Sequence, residues 1–382
     1  MSTFKDFLKE YCPNGVKQYK LQDICKKFKG TPGITATLMK QIANPAGDID
    51  IFAGGKTHVK AFERDIPNAN ITKDPSCLIQ SRGIIDCIYC DSKYTFKNEM
   101  WSYSPKDAKV NIKYVYYFLK TQLSHLRQVA AMRSSMPQIS LADTDFLRVP
   151  LPPLEVQEKI VTVLDAFTEL ESELESELED RNKQYSFYRK KLIKNGAPKV
   201  PLKDLIAITK GKQLNKELCS KVQTEKTPFP VVNGGIKPSG FWNECNFDKG
   251  KITIAEGGAS GFVNWQSSPF WAGSGCFVIS ECNLKELNEK YLYYFLKEKQ
   301  YLLQSQGQGA AITHLHASCV LSLEIPLPPL ETQKEIADVL DKFTSLTSSM
   351  KVGIPAEISL RRKQMDWYRD AMFKALYSEE EK

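Results

Sequence analysis

The pattern of apolar and polar positions predicts two long helices. After Pro152-Pro153 and again after Pro328-Pro329, apolar residues recur at alternating spacings of four and three, as in a coiled-coil seam. A proline pair bars helix before it and suits the first turn after it. The first helix should end at Asn195-Gly196, a length of about 40 residues or about 60 Å. The predicted seam consists of Val156, Ile160, Val163, Phe167, Leu170, Leu174 and Leu178 in the first helix, and Ile336, Val339, Phe343, Leu346 and Met350 in the second.

The first of these helices contains a short repeat. Residues 169–180 read ELESELESELED, which is a four-residue unit written three times with one change. Four residues are close to one helical turn, so the three leucines stay on one face. A unit of this length can be added or removed without breaking the helix, which suggests a segment of adjustable length.

The whole chain repeats itself. LPPLEVQEKIVTVLDAFTEL from Leu151 matches LPPLETQKEIADVLDKFTSL from Leu327 at an offset of 176 residues. The similarity extends beyond this segment. YVYYFLK, RNKQYSFYRK, KLQDICKKFKG and AGGK of the first copy match YLYYFLK, RRKQMDWYRD, PLKDLIAITKG and NGGI of the second. An internal duplication of this length predicts pseudo-twofold symmetry. Within the second helix the offset grows from 176 to 180, because four residues are inserted there. The inserted region contains Gly353 and Pro355, which should weaken or kink the helix.

The regions between the shared helices read as mixed α/β domains. Short β-like runs (CLIQ, GIIDCIYC, KITIAEGG, GCFVIS) alternate with Gly-rich turns. The predicted fold class is therefore α/β (α+β), with two mixed α/β domains joined by two long helices. These helices should form an antiparallel coiled coil, although packing of each helix on its own domain remains an alternative. The predicted boundaries are 1–150 for the first domain, 151–196 for the first spacer helix, 197–326 for the second domain and 327–382 for the second spacer helix.

Composition and charge indicate the compartment, the state of the cysteines and the kinds of partner that we expect. The chain has 382 residues and no long apolar run or signal peptide, so we expect a cytoplasmic, globular protein without a membrane segment. Its ten cysteines are expected to be reduced thiols, and the lone Cys87-x-x-Cys90 pair lacks partners for a zinc site. Residues 1–150 are basic, residues 151–180 are acidic, and residues 181–200 carry no acidic side chain. This distribution suggests a polyanion partner at one place and a protein partner at another.

Catalytic motifs are weak in this sequence. Gly55-Lys56-Thr57 imitates a phosphate-binding loop, but Asp50 stands where the pattern requires glycine. We find no AdoMet-binding glycine motif and no methyltransferase motif, and His314 and His316 alternate as on a strand without forming a metal site. A metal-dependent nuclease that uses Asp86, Asp91 and Lys93 is an alternative function. A coiled-coil scaffold with no role in nucleic-acid binding is another.

DNA binding is favoured over these alternative functions. Gly-rich loops that carry basic and polar side chains suit close approach to phosphates and base edges. Such loops occur near corresponding places in both copies. The candidate DNA-binding residues are Lys56, His58, Lys60, Arg82, Lys93, Arg133 and Ser134 in the first copy, and Lys212, Asn233, Lys237, Ser239, Ser260, Gln308 and His314 in the second.

The sequence also resembles a known family, the specificity subunits of type I restriction-modification systems. The resemblance is carried by SSMPQISLADTDFLRVPLPPLEVQEKI from Ser134, GQGAAITHLHASCVLSLEIPLPPLETQKEI from Gly307 and CPNGVKQYKLQDICKKFKG from Cys12. It implies two target-recognition domains that each read half of a bipartite sequence in double-stranded DNA, held apart by an antiparallel helical spacer. It also implies a non-catalytic chain that binds no cofactor and assembles with two methyltransferase and two restriction subunits, which use AdoMet, ATP and Mg²⁺. In some members, tetrad repeats in the spacer set the distance between half-sites.

Overall fold

The chain folds into two compact units. A computed structural model describes residues 2–55, 57–133, 136–194, 196–306, 314–349 and 351–377, without the side chains of residues 2, 3 and 216. The first unit comprises Met1–Glu173 with Ile358–Lys382, and the second comprises Leu174–Glu357.

The described residues form eleven α-helices and eighteen β-strands, numbered in chain order. The helices are α1 (Ser2–Tyr11), α2 (Leu21–Ile24), α3 (Ala36–Ile42), α4 (Ile112–Arg133), α5 (Leu141–Asp145), α6 (Leu154–Ile193), α7 (Glu289–Glu298), α8 (Gln300–Gln306), α9 (Ala317–Leu321), α10 (Leu330–Ser348) and α11 (Ile354–Ala375). The strands of the first unit are β1 (Gln18–Lys20), β2 (Cys25–Lys29), β3 (Ile49–Phe52), β4 (His58–Ala61), β5 (Ser76–Gln80), β6 (Asp86–Cys90), β7 (Tyr94–Phe96), β8 (Trp101–Pro105) and β9 (Arg148–Pro150). Those of the second are β10 (Lys199–Pro201), β11 (Ile206–Lys210), β12 (Phe229–Val232), β13 (Gly240–Trp242), β14 (Lys251–Ala255), β15 (Val263–Gln266), β16 (Trp271–Ala272), β17 (Cys276–Cys282) and β18 (Glu324–Pro326).

Both units have the same sheet topology. In the first, an antiparallel sheet has the strand order β2-β8-β5-β6, and a mixed sheet has the order β4-β3-β7. In the second, the corresponding orders are β11-β17-β14-β15 and β13-β12-β16. Each recognition domain begins and ends in an antiparallel ribbon, β1 with β9 and β10 with β18. The internal repeat predicted from the sequence is thus confirmed at the level of strand order, and the four predicted β-like runs form β5, β6, β14 and β17.

Each repeated YYFLK segment forms a helix that packs beneath its sheet and against a spacer helix. In the first unit, Tyr117 donates a hydrogen bond of 2.6 Å to Asp165 of α6, and Lys113 forms an ion pair of 2.7 Å with the same carboxylate. In the second unit, Tyr294 and Lys290 make the same contacts with Asp341 of α10. These paired polar contacts fix each recognition domain to the start of a spacer helix.

The two spacer helices run antiparallel in the first unit. In the first unit Phe167 of α6 packs against Tyr368 of α11, and one turn further Glu171 forms an ion pair with Arg362. The order of residues rises along one helix and falls along the other. In the second unit, the later part of α6 packs on α10, where Tyr188 stacks on Phe343 with ring centroids 5.8 Å apart.

The predicted seam residues differ in their burial. In α6, Val156 and Ile160 are fully buried, and the seam residues from Val163 to Leu178 are partly buried, while Leu164, which the prediction missed, is fully buried. In α10, Ile336 is buried and Phe343 partly buried. Two α10 positions need correction, because Val339 is 41% exposed and Leu346 is 37% exposed. The buried stripe there runs instead through Leu340 and Thr347, while Met350 lies outside the described residues.

The second spacer helix is interrupted where glycine and proline were inserted. Helix α10 ends at Ser348 and α11 begins at Ile354, whereas α6 is continuous over 40 residues. Gly353 has φ +91°, and an added Cβ would lie 2.5 Å from the carbonyl oxygen of Leu346. Glycine alone tolerates this conformation and this contact. The predicted weakening at Gly353 and Pro355 is therefore a complete break between two helices.

Candidate nucleic-acid interface

Three segments that carry or adjoin candidate DNA-binding residues meet in the first unit. The side chain of Gln80 donates a hydrogen bond of 2.7 Å to the carbonyl oxygen of Gly55, which places the β3–β4 turn beside the end of β5. The backbone of residues 81–83 pairs with residues 137–139, with bonds of 2.9 Å from Ile139 to Ser81 and 2.8 Å from Gly83 to Pro137. We call residues 53–55, 57, 81–83 and 136–139 the first loop cluster.

The candidate side chains of the first unit differ in whether they are exposed for contact with another molecule. Arg82 is exposed within the first loop cluster, and His58 and Lys60 are exposed on β4 beside it. His58 stacks on Phe52 and forms a 2.7 Å hydrogen bond with Asp50, which holds the imidazole in a defined position. The structure therefore brings three of the predicted cationic or imidazole side chains to one region of the first unit.

Other candidates of this unit lie elsewhere. Lys93 precedes β7, at the opposite end of the β4-β3-β7 sheet from the β3–β4 turn, and lies 3.7 Å from Asp48. Arg133 forms a two-pronged ion pair with Asp143, the residue that completes the capping box of α5. This guanidinium, with the backbone N–H of Ser140, lowers the pKa of Asp143 to about 2. Arg133 therefore has a structural partner within the domain. Lys56 and Ser134 lie outside the described residues.

The loops of the second unit converge more extensively. Ala259 donates to the carbonyl of Gly234 over 2.7 Å, and Glu256 donates to that of Gly275 over 2.9 Å. Leu315 donates to Glu256 over 2.8 Å, which brings the segment before α9 to the same place. We call residues 211–213, 233–239, 256–260, 273–275 and 314–315 the second loop cluster.

The candidate side chains of the second loop cluster divide into structural and free groups. The Oδ1 of Asn233 accepts a 2.8 Å hydrogen bond from the backbone N–H of Gly275, and Ser239 closes the β12–β13 hairpin by donating to Val231. The hydroxyl of Ser260 is buried and has no partner among the described residues. In contrast, Lys212, Lys237 and His314 are exposed. Gln308 lies outside the described residues.

The two loop clusters occupy matching places in the repeat. Each includes the turn after the middle strand of a three-stranded sheet, β3 in one unit and β12 in the other. In both units the glycine that ends the first long strand packs against a neighbouring backbone. An added Cβ on Gly30 would lie 2.1 Å from the carbonyl oxygen of Phe96, and one on Gly211 would lie 2.1 Å from that of Gly273. One scaffold thus presents two loop sets of different sequence.

Some side chains of the clusters were not predicted. Gln80 buttresses the first cluster, and in the second Ser274 donates to Gln213 over 3.4 Å while Lys210 pairs with Glu256 over 2.7 Å. Gln80 and Lys210 are the last residues of β5 and β11, and Gln213, Glu256 and Ser274 lie in loops that follow strands, so a position near a strand end was a usable signal. The periodicity of the sequence does not show which strands are neighbours in a sheet, so it does not show which strand ends meet.

The residues proposed for a nuclease do not form such a site. Asp86 forms an ion pair of 2.7 Å with Lys120 and accepts a hydrogen bond from the backbone of Cys87, while Lys93 faces Asp48. Within the part of the chain that the structure describes, no group of three or more His, Cys, Asp or Glu side chains could hold a metal ion.

His314 and His316 do not lie on a strand as predicted, since they precede and cap α9. In the same described part, no helix has the length and apolarity needed to cross a membrane.

Comparison with known proteins identifies the class. The family described as "Type I restriction modification DNA specificity domain" matches residues 13–181 and again residues 196–360. A type I specificity subunit of Mycoplasma pneumoniae is 32% identical over 239 residues, which cover 59% of this chain and 93% of that protein. The specificity subunit of a type I restriction enzyme from the same organism is 28% identical over 306 residues, which cover 62% of this chain and 92% of that protein.

A solved structure has the same fold. The crystal structure of a type I restriction-modification S subunit from M. genitalium matches 96% of this chain and 97% of its own, with a TM-score of 0.59 and 18% sequence identity. The chain therefore belongs to the family of type I restriction modification DNA specificity domains and contains two of them. Its function is the recognition of DNA sequence by these two domains, and it is a recognition subunit without catalytic activity. The nuclease alternative is not supported.

Proposed function

We propose that each unit reads one half of a bipartite, asymmetric target in double-stranded DNA through its loop cluster. The observation that carries this proposal is the convergence of loops with different sequences at matching places of a repeated scaffold. Exposed cations, Lys60 and Arg82 in one unit and Lys212 and Lys237 in the other, would contact phosphates and base edges. Arg133, Asn233 and Ser239, which have partners within their own domains, would instead hold loops in shape.

The spacer helix α6 is proposed to set the distance between the two half-sites. Removing or adding one tetrad changes the length of a helix by about 6 Å and its rotation by about 40°. Since one base pair of DNA spans about 3.4 Å, a tetrad corresponds to a change of one or at most two base pairs.

The chain is further proposed to act as a cytoplasmic scaffold for two methyltransferase subunits and, in the full complex, two restriction subunits. AdoMet, ATP and Mg²⁺ would then be bound by those partners. The family to which the chain belongs and the duplicated plan of the chain support this arrangement.

The decisive experiment is to map methylated adenines in DNA from cells that express this chain with its methyltransferase partner. We expect one motif made of two different half-sites separated by a fixed gap. Exchange of residues 197–326 for the corresponding region of a relative should change one half-site and leave the other intact. Methylation without a bipartite motif would refute the proposal.

A further inference from the structure

A polar cleft lies between the two sheets of the second unit. One wall consists of the end of β12 and the turn that follows it, and the other consists of residues from β14, β15 and β17. The turn belongs to the second loop cluster, so the cleft adjoins the surface that we assign to DNA. We call this space the inter-sheet cleft, and its polar lining residues are Asn233, Lys237, Thr253, Asn264 and Gln266.

The strand registers show which residues of the first unit occupy the same place. Phe28 and Thr209 lie two residues before the matched glycines Gly30 and Gly211. In the first unit the register leads from Phe28 across Ser102 and Leu78 to Ile88. In the second unit it leads from Thr209 across Val278 and Thr253 to Asn264. Three pairs of counterparts follow, with the residue of the first unit named first: Leu78 and Thr253, Ile88 and Asn264, Cys90 and Gln266.

The first unit fills this place with apolar side chains. Leu78 and Cys90 are buried there, and Ile88 packs against the same cluster. The second unit has a hydroxyl and two amides instead. Thr253 is 2% exposed and Gln266 is 8% exposed, and the amide of Gln266 donates a hydrogen bond of 2.9 Å to the hydroxyl of Thr253. Burial of polar groups costs free energy unless every group has a partner, so folding alone does not favour these residues here.

Two polar groups of the inter-sheet cleft are available to a ligand. Asn264 is partly exposed, and its side-chain amide has no hydrogen-bond partner among the residues that the structure describes. Within the same described residues, Oε1 of Gln266 accepts no hydrogen bond, since only the nitrogen of this amide is engaged. The cleft thus presents a few convergent polar groups in a concave place, as small-ligand sites do.

The turn that forms the other wall is fixed at its base. Oδ1 of Asn233 accepts a hydrogen bond of 2.8 Å from the backbone of Gly275. An added Cβ on Gly234 would lie 2.4 Å from the carbonyl oxygen of Gly257, so only glycine permits this close packing. At the tip of the turn, Ile236 is 64% exposed and Lys237 is exposed. An apolar and a cationic side chain therefore lie together at the mouth of the cleft.

The chemistry of these residues matches a nucleobase. The side-chain amides of asparagine and glutamine carry both donors and an acceptor in one plane, which suits the edge of a base. A lysine at the mouth suits the phosphate next to such a base. A base that remains stacked in a duplex cannot reach residues as deeply buried as Gln266, so it would have to turn out of the stack. An exposed apolar residue such as Ile236 is the kind of side chain that proteins insert between base pairs.

We propose that the inter-sheet cleft binds one base of the DNA target after this base has turned out of the duplex. Asn264 and Gln266 bind the edge of the base, Lys237 binds the neighbouring phosphate, and Ile236 fills the space that the base leaves in the stack. The inference rests on the proposed function and deepens it, because it assigns the reading of one base to named residues. The first unit, whose matching place is filled, reads its half-site without turning out a base.

The inference is tested by fluorescence of 2-aminopurine, a base analogue that brightens when it leaves the base stack. The chain is bound with its methyltransferase partner, at saturating concentration and without AdoMet, to its mapped target. The analogue replaces each base of both half-sites in turn. Adenines that become methylated are positive controls, because methyltransferases turn out their target base. Beyond these, we expect a several-fold rise at one position of the half-site read by the second unit, and none in the other half-site.

A variant that carries the residues of the first unit tests the cleft itself. Thr253→Leu/Asn264→Ile/Gln266→Cys should lower the affinity for the target at least about tenfold, which is the effect of losing about 1.4 kcal/mol of binding free energy. It should also lose the additional fluorescent position, while the signals of the methylated adenines remain. Thermal unfolding shows whether the variant folds, and the single variant Asn264→Leu provides the same test with less change to the cleft.

Asn243→Leu is the matched control. Asn243 is exposed after β13 and does not line the cleft, so the same substitution should leave the affinity and the additional fluorescent position unchanged. An equal loss of affinity in Asn243→Leu and Asn264→Leu would contradict a specific role of the cleft.

Two further results would overturn the inference. Wild type could read both half-sites without an additional fluorescent position. Alternatively, the triple variant could keep the wild-type affinity, which would make the cleft a polar part of the core only. Methylation without a bipartite motif would instead refute the proposed function, and mapping of the methylated adenines shows this before any fluorescence is measured. The two failures are thereby distinguished.

Discussion

Gln157 binds the backbone of Asn111 through a hydrogen bond of 2.9 Å, from the Asn111 N–H to the side-chain Oε1. The same amide donates to the carbonyl oxygens of Lys109 and Pro152, at 2.9 and 2.8 Å. One fully buried side chain thus joins the loop before α4 to the start of α6. In the second unit, Gln333 makes the equivalent contacts with Asn288, Glu286 and Pro328. The glutamine of the repeated LPPLE-x-Q sequence is therefore an element of the domain junction.

Replacing Gln157 with leucine should destabilise the first unit by about 2–4 kcal/mol, because three backbone groups, one buried and two part-buried, lose their partner. Urea unfolding of the full chain measures this loss. Gln128→Leu, at an exposed position of α4, is the control and should change the free energy of unfolding by less than about 0.5 kcal/mol. Equal stabilities of the two variants would contradict the assigned role of Gln157.

Deletion of residues 173–176, one tetrad of α6, should keep both half-sites and shorten the gap between them by one or at most two base pairs. The physical reason is that one whole turn of helix is lost while the leucine face is preserved. Methylome sequencing measures the gap. The same-length variant Ser172→Ala/Ser176→Ala is the control, and it should leave the gap unchanged. An unaltered gap in the deletion variant would show that α6 does not set the spacing.

Lys237→Ala should weaken binding of the methyltransferase complex to its target by about two- to tenfold at moderate salt. It should also lower the slope of log affinity against log salt by about one, because one phosphate contact is lost. Fluorescence anisotropy over a salt series measures both quantities. Lys249→Ala is the matched control, since Lys249 is also exposed but lies before β14, away from the second loop cluster. A similar loss in both variants would argue against a specific contact at Lys237.

Lys297 predicts a defined pH dependence of stability. Burial, with a smaller contribution from repulsion by Arg189, lowers the pKa of Lys297 to about 8. Between pH 8 and the ordinary lysine pKa of about 10.5, the unfolded chain binds more protons than the folded one, so this group favours folding as pH rises. Wild type should therefore gain stability relative to Lys297→Met between pH 7 and 10.

Denaturant unfolding at several pH values measures this difference. Lys285→Met, at an exposed position, controls for the general effect of removing a lysine. A difference between wild type and Lys297→Met that does not vary with pH would show that the burial of this ammonium group does not affect folding.

The sequence predicted those features that local chemistry determines. Proline pairs marked the helix starts, and α6 indeed begins at Leu154 and ends at Ile193, shortly before Gly196 with φ +79°. Gly353 marked the interruption of the second helix for the same reason, since backbone conformation at glycine and proline depends little on distant residues.

The features that failed depend on contacts distant in sequence. Val339 and Leu340 are both apolar and adjacent, so a spacing of three or four fits either one. Leu340 is buried because α10 also packs against α7 of its own domain, a contact that the repeat pattern does not contain. Likewise, the sequence does not reveal that Arg133 pairs with Asp143. Which exposed cations are free depends on tertiary neighbours, and the sequence of a loop does not supply them.

The ribbons β1–β9 and β10–β18 have a consequence for how such proteins change. The chain enters and leaves each recognition domain through two short paired strands of three residues each. A foreign domain inserted at this ribbon needs to reproduce one short register, while the helices beyond it keep their sequence. Replacement of the residues between the two strands of one ribbon would therefore leave both the ribbon's register and the sequence of the helices beyond it unchanged.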